Sequence, residues 1–330
     1  MRKIMRILMA VGVLTLAGAL YGCNYMGATS YIYQNGDKYT AGDREIKDKI
    51  EKLDIDYLSG EVTLTGNTGD VIKITETAEK DLDEKRKVHS WVDGTTLYIR
   101  FCECARNMDL NKLGKKLTVT IPADVNLSDL KIEISSGDVK GSDVTAENVD
   151  VEASSGDVNM SCTAKNIEME ASSGDITLTA TAEEISVETS SGDITVKQSG
   201  NSRKITAEAS SGTLDITAEE VTTLRTKTSS GRITVSADTV GSFESDSSSG
   251  RCEASFAKTP DSTDIETSSG NVKLLLPADA AITAEFDTSS GDITYELPFT
   301  KDGKRYISGA GTANLSVETS SGDITIEKKQ

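Results

Sequence analysis

Glu133, Glu152, Glu170, Glu188 and Glu208 each stand four residues before the glycine of a Ser-Ser-Gly triplet, and Asp138, Asp157, Asp175 and Asp193 each follow one directly. Carboxylates at a fixed offset from a repeated turn become columns of charge if the turns stack. The first column continues as Lys227, Asp246, Glu266, Asp287 and Glu318, the second as Thr213, Arg232, Arg251, Asn271, Asp292 and Asp323. Residues 133 to 208 are thus the most electronegative stretch. At a stacking distance of about 4.8 Å, neighbouring unit charges repel by roughly 0.9 kcal/mol in water. Two readings follow. The carboxylates bind a basic partner or a divalent cation such as calcium, for which oxygen ligands are suited, or they keep a long β-surface soluble and discourage lateral pairing. No other cofactor is expected.

Other reactive side chains are few. Cys102-x-Cys104, with His89 nearby, offers too few ligands for a metal centre and reads as two thiols on one face of a strand. His89 is the only histidine; nothing around it builds a nucleophile system, and it reads as an exposed loop residue. Cys162 and Cys252 fall on inward positions about five rungs, roughly 24 Å, apart, beyond disulfide reach. There is no P-loop and no dinucleotide fingerprint. The net charge is −18, near −21 once Arg2, Lys3 and Arg6 leave with a leader, which opposes nucleic-acid binding. The expectation is a protein without enzymatic activity.

The elements that position these groups are written in the repeat. Ser-Ser-Gly ends at Gly137, Gly156, Gly174, Gly192, Gly212, Gly231, Gly250, Gly270, Gly291 and Gly322, at intervals of 19, 18, 18, 20, 19, 19, 20, 21 and 31 residues. Around each glycine runs a period of two. Val149, Ile167 and Ile185 lie seven before it, Val151, Met169 and Val187 five before, and Val158, Ile176 and Ile194 two after. Three before, the position becomes small or β-branched, as in Ala153, Ala171 and Thr189, where a bend leaves little volume. Glycine suits a backbone that needs positive φ or close approach to the next rung. One such repeat cannot bury its apolar face alone, but a parallel stack buries a continuous column. The fold is therefore an all-β, single-stranded parallel β-helix of about 10–11 coils, a rod roughly 50 Å long. A right-handed sense is favoured, because the hexapeptide period of left-handed helices is missing.

Residues 1–22 have the order of a signal peptide: Arg2, Lys3 and Arg6, then an apolar run from Ile7 to Leu20. Leu20-Tyr21-Gly22-Cys23 resembles the bacterial lipobox, which implies cleavage before Cys23 and lipid on its sulfur. Two or three acyl chains anchor a protein stably, so the expected location is the outer face of a bacterial membrane. Residues 23–44 read as the lipidated cysteine and a polar tether. Residues 45–129 form irregular coils and a cap, with strand-like pieces at Val71–Thr75, Thr96–Arg100 and Leu117–Pro122 and a charged loop over 81–87. Residues 130–330 are the regular solenoid, and the insertion at 298–311 reads as a strand extension or lid.

Leu117 to Pro122, a spacer, and then Leu130-Lys131-Ile132-Glu133-Ile134-Ser135-Ser136-Gly137-Asp138-Val139 with its successors resemble a bacterial "putative adhesin" family, over residues 45–330. The resemblance implies a β-helix at the cell surface or envelope and little about activity; some members are linked to envelope-stress signalling. The leading expectation is a tethered rod that presents its acidic surface to an envelope protein, a cell surface or a wall polymer. The alternatives are a module that senses envelope damage and a polysaccharide-active enzyme.

Overall fold

A computed structural model describes residues 33–103 and 113–329; the leader, Cys23 and Cys104 lie outside the described residues. The N-terminal part contains β1 (Thr40–Ala41), β2 (Arg44–Ile46), β3 (Lys52–Thr65), β4 (Ile72–Thr77), β5 (His89–Asp93), β6 (Thr96–Arg100) and β7 (Lys116–Thr120). The repeats follow as β8 (Leu127–Ser155), β9 (Val158–Ser173), β10 (Ile176–Ser191), β11 (Ile194–Ser211), β12 (Leu214–Ser230) and β13 (Ile233–Ser249). The C-terminal part contains β14 (Cys252–Phe256), β15 (Ser262–Ser269), β16 (Val272–Leu276), β17 (Ile282–Thr288), β18 (Ile293–Tyr295), β19 (Thr300–Asp302), β20 (Arg305–Ser308), β21 (Ala313–Thr319) and β22 (Ile324–Lys328).

Each of β9 to β13 is one coil, running from two residues after one repeat glycine to the serine before the next. Coils stack in parallel and in register, like on like: Val158, Ile176, Ile194, Leu214, Ile233, Cys252 and Val272 form one inward column. None of these is more than 1% exposed, and burying a side chain of this size contributes about 1.5–3 kcal/mol. Differences in repeat length are absorbed at the corner opposite the Ser-Ser-Gly turn. There the β10–β11 register shifts between Ala180 and Glu184, and Gln198 of β11 is tied to the Ser199 and Gly200 carbonyls at 2.9 Å. At the Ser-Ser-Gly corner no slack exists. A Cβ on Gly156 would lie 2.1 Å from the Gly137 carbonyl oxygen, and one on Gly231 1.8 Å from that of Gly212. Close approach therefore requires glycine at both, and Gly156 adds a φ of 120°.

Chain order and stacking order part company at both ends. β3 lies between β6 and β8, with Leu53 opposite both Leu97 and Leu130. At the far end the last coil in sequence, β21–β22, lies between β15–β16 and β17–β18: Glu318 pairs with Glu266 on one side and Asp287 on the other. The outermost coil at each end is thereby adjacent in sequence to the strands that cap it. β5 turns through Gly94 (φ 60°) and Thr95 to cover β6, β4 runs antiparallel along β7, and β20 covers β17. The insertion at 298–311 is thus a lid, the β19–β20 hairpin.

Three sequence expectations need correction here. His89 is not on an exposed loop: it lies in β5, 6% exposed, with Nδ1 2.9 Å from the Lys87 carbonyl oxygen. Cys102 is fully buried just beyond the end of β6, not on a strand face. Part of the segment expected to be a polar tether, 23–44, is instead structured: β1 pairs with β5, and Tyr39 packs on Trp91 with ring centroids 5.6 Å apart.

Candidate functional site

The in-register stack carries the outward carboxylates into columns on one wall. Glu152, Glu170, Glu188 and Glu208 are successive neighbours, followed by Lys227, Asp246, Glu266, Glu318 and Asp287. Glu133 pairs with Asp56 of β3 and with the Lys131 ammonium at 2.6 Å, and the same ammonium lies 3.8 Å from Glu152. The N-terminal end of the column is therefore partly neutralised. Among the described residues, Glu170, Glu188 and Glu208 have no ion pair and no side-chain hydrogen bond.

A second column, two residues earlier on the same wall, escaped the sequence reading. It runs Asp150, Glu168, Ser186, Thr206, Arg225, Glu244 and Asp264. Period-two alternation already placed these residues outward, and tabulating the offset of six from each glycine would have found them. Asp150 and Glu168 thicken the acidic patch, while Arg225 is held by Glu244 at 2.9 Å. The crowding registers in proton affinity. Burial first, and then the charges of Glu188, Glu168, Glu152 and Asp150, push the Glu170 carboxyl above its ordinary range. Asp150 is raised by burial and by Glu152 and Glu168, against the pull of Lys131.

The aspartates after the glycine do different work. The Asp138 carboxylate accepts the Asp157 backbone N–H at 3.1 Å, Asp157 accepts that of Asp175 at 2.9 Å, Asp175 that of Asp193 at 2.8 Å, and Asp193 that of Thr213 at 2.7 Å. Asn271 and Asp323 repeat the arrangement near the C-terminal end at 3.0 Å. Each carboxylate thus satisfies a turn amide of the next coil. Of the two expected acidic ladders, the aspartates are mortar between coils, and Glu170, Glu188 and Glu208 of the glutamate ladder are the free surface.

The structure also reveals a buried ion pair that the sequence did not flag. Lys115 occupies the register position of the repeat glycine beside Gly60 and turns its ammonium inward, 2.7 Å from Glu76. Tyr57 and the Val88 amide donate to the same carboxylate at 2.8 Å, and the ammonium also donates to the Arg86 and Phe101 carbonyls. Burial lowers the Lys115 proton affinity and Glu76 opposes that shift. With both side chains sealed, at 0% and 4% exposure, the pair is an element of the cap core. Cys162 and Cys252 are free thiols, buried in the column. Among the described residues no group of three or more His, Cys, Asp and Glu is placed to hold a metal ion, and no helix is long and apolar enough to cross a membrane.

Comparison with curated proteins finds no match. Among solved structures, a "putative adhesin" from Parabacteroides distasonis ATCC 8503 is similar over 88% of this chain and 97% of its own, at 14% identity and a TM-score of 0.48. A "putative adhesin" from Bacteroides fragilis NCTC 9343 covers 71% of this chain and 96% of its own, at 18% identity and a TM-score of 0.43. A "putative lipid binding protein", also from Parabacteroides distasonis ATCC 8503, covers 88% and 97% at 13% identity and a TM-score of 0.28. The family described as Toastrack DUF4097 matches residues 50–252 and again 162–327, two overlapping spans that together run from β3 into β22. With its glycine-cornered parallel coils and that match, the chain belongs to the Toastrack DUF4097 family.

Proposed function

We propose that this chain is a non-enzymatic protein of the bacterial cell envelope, held to the outer face of a membrane by lipid on Cys23, whose glutamate wall binds a basic region of an envelope partner. The observation that carries the reading is the contrast between the two sets of carboxylates. The aspartates are engaged by backbone amides, whereas Glu170, Glu188 and Glu208 stand in consecutive coils without a cation. Like charges so placed repel, and a partner that brings cations relieves the repulsion on binding. A basic macromolecule fits better than a calcium ion, since the glutamates form a flat row and not a convergent cage. The test is capture of envelope proteins by the mature chain, compared with a variant carrying Glu→Gln at 152, 170, 188 and 208. The variant is expected to lose partners that the parent retains. An undiminished set would remove the glutamate wall from binding.

A further inference from the structure

The C-terminal end of the stack is only half covered. β17 is flanked by β21 on one side and by the β20 lid on the other, but β18 pairs with β22 alone. In the two coils before it, the residue two after the glycine is sealed, with Val272 and Ile324 at 0% exposure; in β18 the equivalent Ile293 is only half-buried, and Tyr295 is 43% exposed.

The coil beneath β18 offers it three features, and β18 presents all three with no coil beyond it. The first is a backbone donor: the Val272 N–H reaches the Asp323 carbonyl and the Ile324 N–H the Asp292 carbonyl, both at 2.9 Å, and Ile293 is next in that series. The second is a carboxylate: Asp323 accepts the Asp292 N–H at 3.0 Å, and Asp292 is the last of its column. The third is a tight corner. A Cβ on Gly291 would lie 2.0 Å from the Gly322 carbonyl oxygen, so whatever stacks on Gly291 must itself place glycine there.

We propose that β18 is a docking edge for an extended segment of another protein, which adds as one more parallel strand with glycine over Gly291 and branched apolar residues over Ile293 and Tyr295. The successive interfaces within the stack define this occupant, because each is the same surface already filled. A second copy of this chain fits poorly. Antiparallel self-pairing centred on Thr294 would set Asp292 of each copy against Glu296 of the other. Parallel stacking onto the opposite end of another copy is blocked by β4 and β5, which already cover it.

The probe is a fluorescent peptide with the sequence of residues 318–327, which contains the Gly-Asp-Ile-Thr-Ile order of the coil beneath β18. Anisotropy with the full mature chain is expected to show saturable binding. A peptide carrying Gly322→Val is expected to bind roughly tenfold more weakly or worse, since a side chain at that corner strikes the neighbouring carbonyl. Ile293→Lys in the protein should weaken binding similarly while the chain still melts cooperatively. If that variant unfolds, the two peptides on the unaltered chain decide alone. The proposal is overturned by absence of saturable binding, by equal binding of both peptides, or by a dimer of the free chain that Ile293→Lys dissociates.

Discussion

Glu170→Gln removes one charge from the centre of the Glu152–Glu170–Glu188 run. Stacked neighbours about 4.8 Å apart repel by roughly 0.9 kcal/mol each in water, so two neighbours contribute about 1.7 kcal/mol. A Debye length of about 8 Å at physiological ionic strength reduces this to roughly 1 kcal/mol, and one of about 3 Å in molar salt nearly abolishes it. Partial burial of Glu170 acts in the same direction, because the neutral amide escapes the desolvation that raises the carboxyl. The variant should therefore be more stable than the parent by about 1.7 kcal/mol at low salt, with the gap closing as salt rises. For a domain of this size each kcal/mol moves the midpoint by about 2–4 °C. Thermal unfolding followed by circular dichroism across a sodium chloride series reads this directly. Equal or lower stability of the variant at low salt, or a gap indifferent to salt, would refute the stacked-charge reasoning.

The aspartate column should respond in the opposite way. Asp175→Ala removes the acceptor of the exposed Asp193 amide and should cost roughly 0.5–1.5 kcal/mol in urea unfolding, whereas Asp175→Asn should be nearly neutral, as Asn271 already accepts the Asp323 amide at 3.0 Å. Gly192→Ala would put a Cβ 2.0 Å from the Gly174 carbonyl oxygen at a φ of 149°, and should cost at least about 3 kcal/mol or prevent folding, visible as loss of cooperative melting. Asp56 is pushed up to about 6 by burial, with Glu133 and Asp54 adding to the shift against Arg100. A raised carboxyl means the native state binds its proton first, so stability should rise as pH falls through about 6 towards the unfolded value near 4. Asp56→Asn should lack this pH dependence and exceed the parent at pH 7 by no more than roughly 3 kcal/mol, the gap closing near pH 4.

Much of this architecture was legible in the sequence because one coil is one repeat. Inward residues such as Ile176, Val187 and Ile194 follow from alternation alone, and Gly156 and Gly192 mark a corner that admits no side chain. The glutamate column was legible for the same reason, since a fixed offset from a fixed corner becomes a column in any in-register stack. What could not be read is whatever depends on contacts across the stack. Asp157 and Glu170 are both outward acids in the sequence, and only the position of the next coil's amide separates the mortar from the free surface. The placement of β21–β22 between β15–β16 and β17–β18 is equally hidden, because every coil offers its neighbours nearly the same face. His89 and Lys115 were missed for a related reason. They lie in the cap, where antiparallel strands without the repeat bury polar side chains, His89 beside the Lys87 carbonyl and Lys115 against Glu76, far away in sequence.

The C-terminal end of the outward column and the open edge of β18 both depend on the stacking order, which can be tested by disulfide formation on the outer wall. In the stack Glu318 is the direct neighbour of Glu266, and Asp287 lies one coil further. Neighbouring coils are about 4.8 Å apart and within disulfide reach, whereas a separation of two coils, roughly 9.6 Å, is not. The measurement is the yield of intrachain disulfide on mild oxidation of a Glu266→Cys/Glu318→Cys variant and a Glu266→Cys/Asp287→Cys variant, each against the parent chain. Efficient closure of the first pair and none of the second is the predicted result. Closure of the second pair without the first would mean that coils stack in chain order, and would contradict the open edge of β18.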